Sequence, residues 1–216
     1  MNEIYLPILD IETVAIDLPD RVKLYRERSI EPHRGIKDPV KQNNWIADKV
    51  TELYSRDALD PYYCRIICVS YTDPKNVVQS YFGDEMEILN LIKSTARLSD
   101  GRFITFNGST FDIPVIRTRC MFLDIPQIGL YNIKDFDLMR LLQMNSWFDR
   151  TQLKSLALYA SLLDIDYDVE LMNVDIANLY TNNDFKTIEN HCRQDIRITQ
   201  KIWHKIRNYV NIGESL

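Results

Sequence analysis

Apolar residues gather at the start of the chain, where Ile4-Tyr5-Leu6-Pro7-Ile8-Leu9 runs almost unbroken into Asp10-Ile11-Glu12-Thr13. The run predicts a buried strand entered just after Pro7, where a missing N–H is tolerable. Arg65–Thr72 and Val77–Phe82 are two further apolar segments, separated by the turn chemistry of Asp73-Pro74-Lys75-Asn76, and they predict a hairpin-like pair of strands. Glu85–Leu98 changes period and carries Ile88, Leu89, Leu91 and Ile92 on one helical side. Phe103–Phe106 reads as a fourth short strand and Phe136–Leu138 as a fifth strand or its end. Gln152–Leu163 predicts a helix, and 173–183 a polar connector with some helical character. The last helix runs from about Asp184 to Val210, with the inward stripe Ile188, His191/Cys192, Asp195, Thr199, Ile202 and Ile206.

Between the first two strands the pattern weakens. Pro19–Arg28 predicts a short charged helix, and Ser29–Val40, with Pro32, Gly35 and Pro39, an irregular loop. Ile46, Val50, Leu53 and Tyr54 then recur at helical spacing after Asn44, a plausible N-cap. Residues 19–60 are therefore an elaboration of one domain spanning 1–216, serving either as cover for a sheet edge or as a lip over a groove. The order of strand, insertion, strand, strand, helix, strand predicts an α/β domain with a mixed sheet.

Composition changes this picture little. The chain has 216 residues, 45% hydrophobic and 26% charged, enough for a substantial core. No apolar run approaches membrane-spanning length and no signal-peptide pattern opens the chain, so a cytoplasmic protein with no membrane partner is expected. Four cysteines lack metal or disulfide spacing; Cys64 and Cys68 share a strand face in this register but lie roughly 13 Å apart at strand rise. All four are expected reduced and buried. A net charge of −5 argues against a large duplex-DNA surface, though not against a short single strand, and basic residues cluster at Arg21–Arg28 and at Arg117 with Arg119.

Candidate chemistry lies in three acidic placements. Asp10 and Glu12 point to one side of the first strand; they are solvated acids if the strand ends at Leu9, and need a cation if it does not. Asp112, in Asn107-Gly108-Ser109-Thr110-Phe111-Asp112-Ile113-Pro114, is either a helix N-cap or an acid at a strand end, where open α/β sheets bind ligands. His191 and Asp195, one turn apart on the last helix, are either a local ion pair or part of a metal site.

Taken in order, Asp-x-Glu, Asn-Gly-x-x-Phe-Asp-x-Pro and His-Cys-x-x-Asp resemble the motifs of the DEDD superfamily of 3′→5′ exonucleases. The likeness is greatest to the proofreading domain of family B DNA polymerases and its stand-alone relatives. It implies a ribonuclease-H-like fold with a mixed five-stranded central sheet flanked by helices. It also implies a metal-dependent exonuclease that releases nucleoside monophosphates from the 3′ end of single-stranded DNA. Four carboxylates suit two hard divalent ions, Mg²⁺ or Mn²⁺, held roughly 3.5–4 Å apart in such sites. By the resemblance Asp10 bridges both ions, Glu12 and Asp195 complete the nucleophile's ion, and Asp112 holds the other through water. His191 would orient or deprotonate the water, while Thr13, Asn107, Gly108 and Phe111 would hold the terminal nucleotide; for Phe111 a core role is an equal alternative. The third motif typically has tyrosine where this chain has His191, and the histidine-bearing branch sets that residue one position farther from the aspartate. A separate DNA polymerase or replication protein is the expected partner. RNA as substrate, or a non-catalytic module on a relic of the fold, are the competing readings.

Overall fold

The structure, a computed structural model, describes residues 5–126, 133–144 and 155–209. Strands β1 (Leu9–Ala15), β2 (Cys64–Thr72) and β3 (Val78–Phe82) form an antiparallel sheet in that order. β4 (Arg102–Thr105) and β5 (Lys134–Asp137) pair in parallel. One parallel bridge, Ile8 to Ile104, joins the two ladders, and there the Ile104 N–H donates to the Pro7 carbonyl at 2.9 Å. The expected five-stranded sheet is thus a three-stranded antiparallel ladder and a two-stranded parallel one that share a single bridge. The reason lies at Ile11. Continued parallel pairing would use its N–H for the extension of β4, but that N–H donates to Asp112 Oδ1 at 3.1 Å. The aspartate side chain occupies the place where the ladder would run on.

Around the strands lie α1 (Asp20–Arg28), α2 (Pro39–Ser55), α3 (Glu85–Leu98), α4 (Asp112–Phe122) and α5 (Leu138–Met144). They are followed by α6 (Leu156–Leu162), α7 (Val169–Met172), α8 (Ile176–Thr181) and α9 (Phe185–Ile206). Leu9, Ile11, Ile66 and Val69 pack against Ile88, Leu89 and Ile92 of α3 and Val115 and Ile116 of α4. On the opposite side α9 lays Ile188 and Cys192 on Val14, Ile67 and Cys68. Farther along, its Ile196 and Ile202 join Ile8, Ile104, Leu138 and Ala160. Asp10 and Glu12 alternate with Leu9 and Ile11 along β1 and so fall on the α9 side, between two apolar patches.

The β1–β2 register shifts between Glu12, opposite Cys68, and Thr13, opposite Ile66, which leaves Ile67 as a bulge. Ile67 and Cys68 consequently both join the α9 side while Ile66 and Val69 keep the other. Cys64 and Cys68, expected on one face, are therefore on opposite faces; all four cysteines are free and buried.

In the insertion, α2 starts at Pro39 rather than after Asn44. Asp38 is its cap, accepting from the N–H groups of Val40 at 2.8 Å and Lys41 at 3.1 Å. Proline at the first helical position gives up a donor the helix does not need, so Asp-Pro opens this helix instead of closing a loop. No residue of α2 is buried. The insertion is anchored instead by Arg26, whose guanidinium grips Asp57 at 2.7 and 2.5 Å and lies 3.8 Å from the Tyr63 ring centroid. The connector expected at 173–183 is α8, preceded by the single turn of α7. Residues 152–154 of the expected Gln152–Leu163 helix, and Val210, lie outside the described residues.

Candidate active site

β1 and α9 bring four of the expected residues together. His191 Nε2 lies 3.4 Å from Glu12 Oε1 and 3.9 Å from Asp195 Oδ2. Its Nδ1 is 2.6 Å from the Leu171 carbonyl, which can only accept, so Nδ1 carries the proton of that bond and Nε2 faces the carboxylates. Cys192, next on α9, donates its S–H to Asp10 Oδ2 at 3.3 Å.

Asp112 enters from the other sheet face as the first residue of α4, buried to 3% exposure. It does not cap its helix; its carboxylate accepts from Ile11 on β1 and reaches Asp10, on whose acidity it acts more than any other acid does. The loop that delivers it is held by Asp137, a residue the sequence reading passed over. Asp137 Oδ1 accepts from the N–H groups of Asn107 at 2.9 Å and Met139 at 3.0 Å, and Oδ2 accepts from the Ser109 hydroxyl. Two positions on that loop are specialised. Asn107 holds φ at 68°, in the left-handed region that asparagine tolerates. Gly108 lies so close to Thr105 that an added Cβ would sit 2.3 Å from its Oγ1. Gly108→Ala should therefore cost ~1–3 kcal/mol by overpacking, read as a lower denaturant midpoint, and should misplace Asp112.

Of the four residues expected to hold a nucleotide, Asn107 and Gly108 lie on the loop before Asp112, while the side chains of Thr13 and Phe111 have protein partners of their own. Thr13 points off the acidic face of β1 and donates its hydroxyl to the Ala58 carbonyl at 2.5 Å. Phe111 packs against the core shared by α3 and α4.

The electrostatics are those of crowded, dehydrated acids. Burial, then the charges of Asp112, Glu12 and Asp195, push the Asp10 carboxyl well above its usual range, against the opposing bond from Cys192. Burial and Asp195 do the same to Glu12. Burial raises Asp112 to about 7, partly opposed by amide hydrogen bonds and reinforced by Asp135 and Asp137. Burial raises Asp195 to about 6, with His191 pulling down. Asp135, a fifth acid missed in the sequence, is raised to about 7 by burial and accepts from Thr105 Oγ1 at 2.7 Å. Asp195 Oδ1 is buried without a hydrogen-bond partner among the described residues. Acids that raise one another in this way, with a carboxylate oxygen left orphaned, fit a divalent cation. Atoms of Asp10, Glu12 and Cys192 lie within 4.8 Å of one another.

An α/β sheet crossed by a long helix, with acids converging from a strand, a strand–helix junction and that helix, defines a nuclease domain of the ribonuclease-H kind. The chain belongs to the RNase_H superfamily: the RNase_H_2 family model matches residues 57–207. That match starts after β1, so Asp10 and Glu12 lie outside it. The fold is similar to that of the family B DNA polymerase from the hyperthermophilic archaeon Pyrobaculum calidifontis, with a TM-score of 0.62 and 13% identity. The match covers 94% of this chain and 24% of the polymerase, so the chain spans about a quarter of that protein's length. The sequence matches no curated protein. Among the described residues no helix is long and apolar enough to cross a membrane.

Proposed function

We propose that the chain is a metal-dependent 3′→5′ exonuclease that removes nucleoside monophosphates from single-stranded DNA ends. The observation that carries this reading is the convergence of Asp10, Glu12, Asp112 and Asp195, from three separate elements, into a dehydrated set beside which, among the described residues, only His191 opposes the crowding by charge. Asp10 and Glu12 face Asp195 across the β1–α9 contact and would hold one ion, with Asp10 and Asp112 holding the other. All-oxygen ligands favour Mg²⁺ or Mn²⁺ over softer ions. When bound, such a pair supplies an acidified water and stabilises the leaving 3′-oxygen.

The chain's own residues do the rest. His191, fixed through Nδ1 to Leu171, presents Nε2 to the gap between Glu12 and Asp195, where it orients the attacking water and can take its proton. The loop from Asn107 to Asp112 delivers Asp112 to β1, and on that adjacency we assign Asn107 and Gly108 to the terminal nucleotide. A separate polymerase or replication protein is the proposed partner.

Digestion of labelled oligonucleotides with Mn²⁺ tests this. A 3′-labelled single strand should release its label as mononucleotide, a blocked 3′ end should resist, and paired ends should react more slowly because unpairing costs a few kcal/mol. Faster digestion of RNA would reassign the substrate. Cleavage of a closed circle would make the protein an endonuclease, and no cleavage of any substrate would leave a binding module.

A further inference from the structure

Cys192 takes no part in the chemistry proposed above, yet its sulfur touches the centre of the acidic set. Sγ lies 3.3 Å from Asp10 Oδ2 and 3.6 Å from the Asp10 carbonyl oxygen, and the residue is fully buried. Its donor atom, one from Asp10 and one from Glu12 lie within 4.8 Å of one another, the span of ligands around a single ion. One further observation points the same way: His191 Nε2, a borderline nitrogen donor, lies 3.4 Å from Glu12 Oε1. Mg²⁺ and Mn²⁺ prefer oxygen and would leave the sulfur aside, whereas Zn²⁺ and Cd²⁺ take mixed sets of sulfur, nitrogen and carboxylate.

We infer that Asp10, Glu12 and Cys192 form a soft-ion site that overlaps the carboxylate site, and that a thiophilic divalent cation bound there acts as an inhibitor. On binding, the Cys192 S–H bond breaks, a sulfur–metal bond forms, and one proton passes to the buffer. Asp10 is common to both arrangements, so an ion drawn toward the sulfur denies Asp10 to the hard pair. Inhibition rests on the proposed nuclease function; the existence of the site does not.

The test is a Cd²⁺ titration of metal-free protein, followed by the thiolate-to-cadmium charge-transfer band in the ultraviolet. Wild type and Cys120→Ala, whose thiol lies in the core on the other sheet face, should show the band and saturate at one ion per chain. Cys192→Ser and Cys192→Ala should not show it, and circular dichroism of the metal-free variants verifies that they are folded. With Mn²⁺ supporting digestion, the Zn²⁺ concentration that halves each variant's own rate should be on the order of tenfold higher for Cys192→Ser than for wild type. No band in wild type, or a band that survives in both Cys192 variants, overturns the inference. The band reads the site even in a protein that digests nothing, so failure of the nuclease reading and failure of the soft-ion site are separately visible.

Discussion

Asp10→Asn should give a folded protein that no longer digests DNA, with turnover down by ~10³-fold or more, at least the scale of losing one preorganised electrostatic group. The substitution is nearly isosteric, and the amide oxygen can still accept from Cys192. What it removes is the negative charge at the meeting point of Asp112, Glu12 and Asp195. The same crowding sets the stability of the metal-free protein. Burial raises these carboxyls in the folded state, Asp195 to about 6 against the pull of His191, and Asp112 and Asp135 to about 7 with neighbouring acids adding to it. A raised folded value means that the contribution to stability is full below the unfolded value near ~4 and is lost as pH rises through the folded value. Metal-free protein should therefore melt lower at pH 8 than at pH 5.5, and Mn²⁺ should recover the difference by binding the folded state. Asp10→Asn should melt higher than wild type at pH 8 without metal, by roughly 2–4 °C for each kcal/mol of repulsion relieved. Undiminished digestion by the purified variant would remove Asp10 from the site.

The same physics explains what could be read from the sequence. Asp10, Glu12 and Asp195 were legible because strand and helix periods fix which way a side chain points, and acids on an inward stripe are conspicuous. Asp112 was legible as an alternative only. Its spacing to Pro114 suits a cap, and its actual partner, the Ile11 amide, is 101 residues away in sequence. That contact also decided the sheet, since it interrupts the ladder between β1 and β4. Asp135 and Asp137 carried no visible chemistry because the expected fifth strand, Phe136–Leu138, covered only half of Lys134–Asp137 and gave no register for its two acids. Their sole signal was the alternation that puts both acids on one face. The bulge at Ile67 left no mark, because Ile66, Ile67, Cys68 and Val69 are all apolar and either face would accept them. Helix α7, too short to show a period, proved to hold the carbonyl that orients His191.

His191→Ala should lower turnover by about 10²–10⁴-fold, the usual worth of a positioned acid–base group, while Mn²⁺ still raises the melting temperature. The geometry separates two jobs for the imidazole. Nδ1–H is committed to the Leu171 carbonyl at 2.6 Å, which fixes the ring plane and leaves Nε2 in the gap between Glu12 and Asp195. On the proposed mechanism, a water between the two carboxylates would meet at Nε2 a group able to take its proton, and metal binding would not depend on that group. Loss of the ring should therefore appear in the single-turnover rate and not in the metal midpoint. His191→Tyr should recover part of the loss, because the third motif of the exonucleases this chain resembles typically carries tyrosine at this distance from the aspartate. A phenol cannot reproduce both contacts, to Leu171 and to the carboxylate gap, so the recovery should be incomplete. If His191→Ala digests DNA at the wild-type rate, the histidine only packs α7 onto α9 and the water is activated without it. If metal uptake collapses together with rate, His191 belongs among the ligands and not opposite the water.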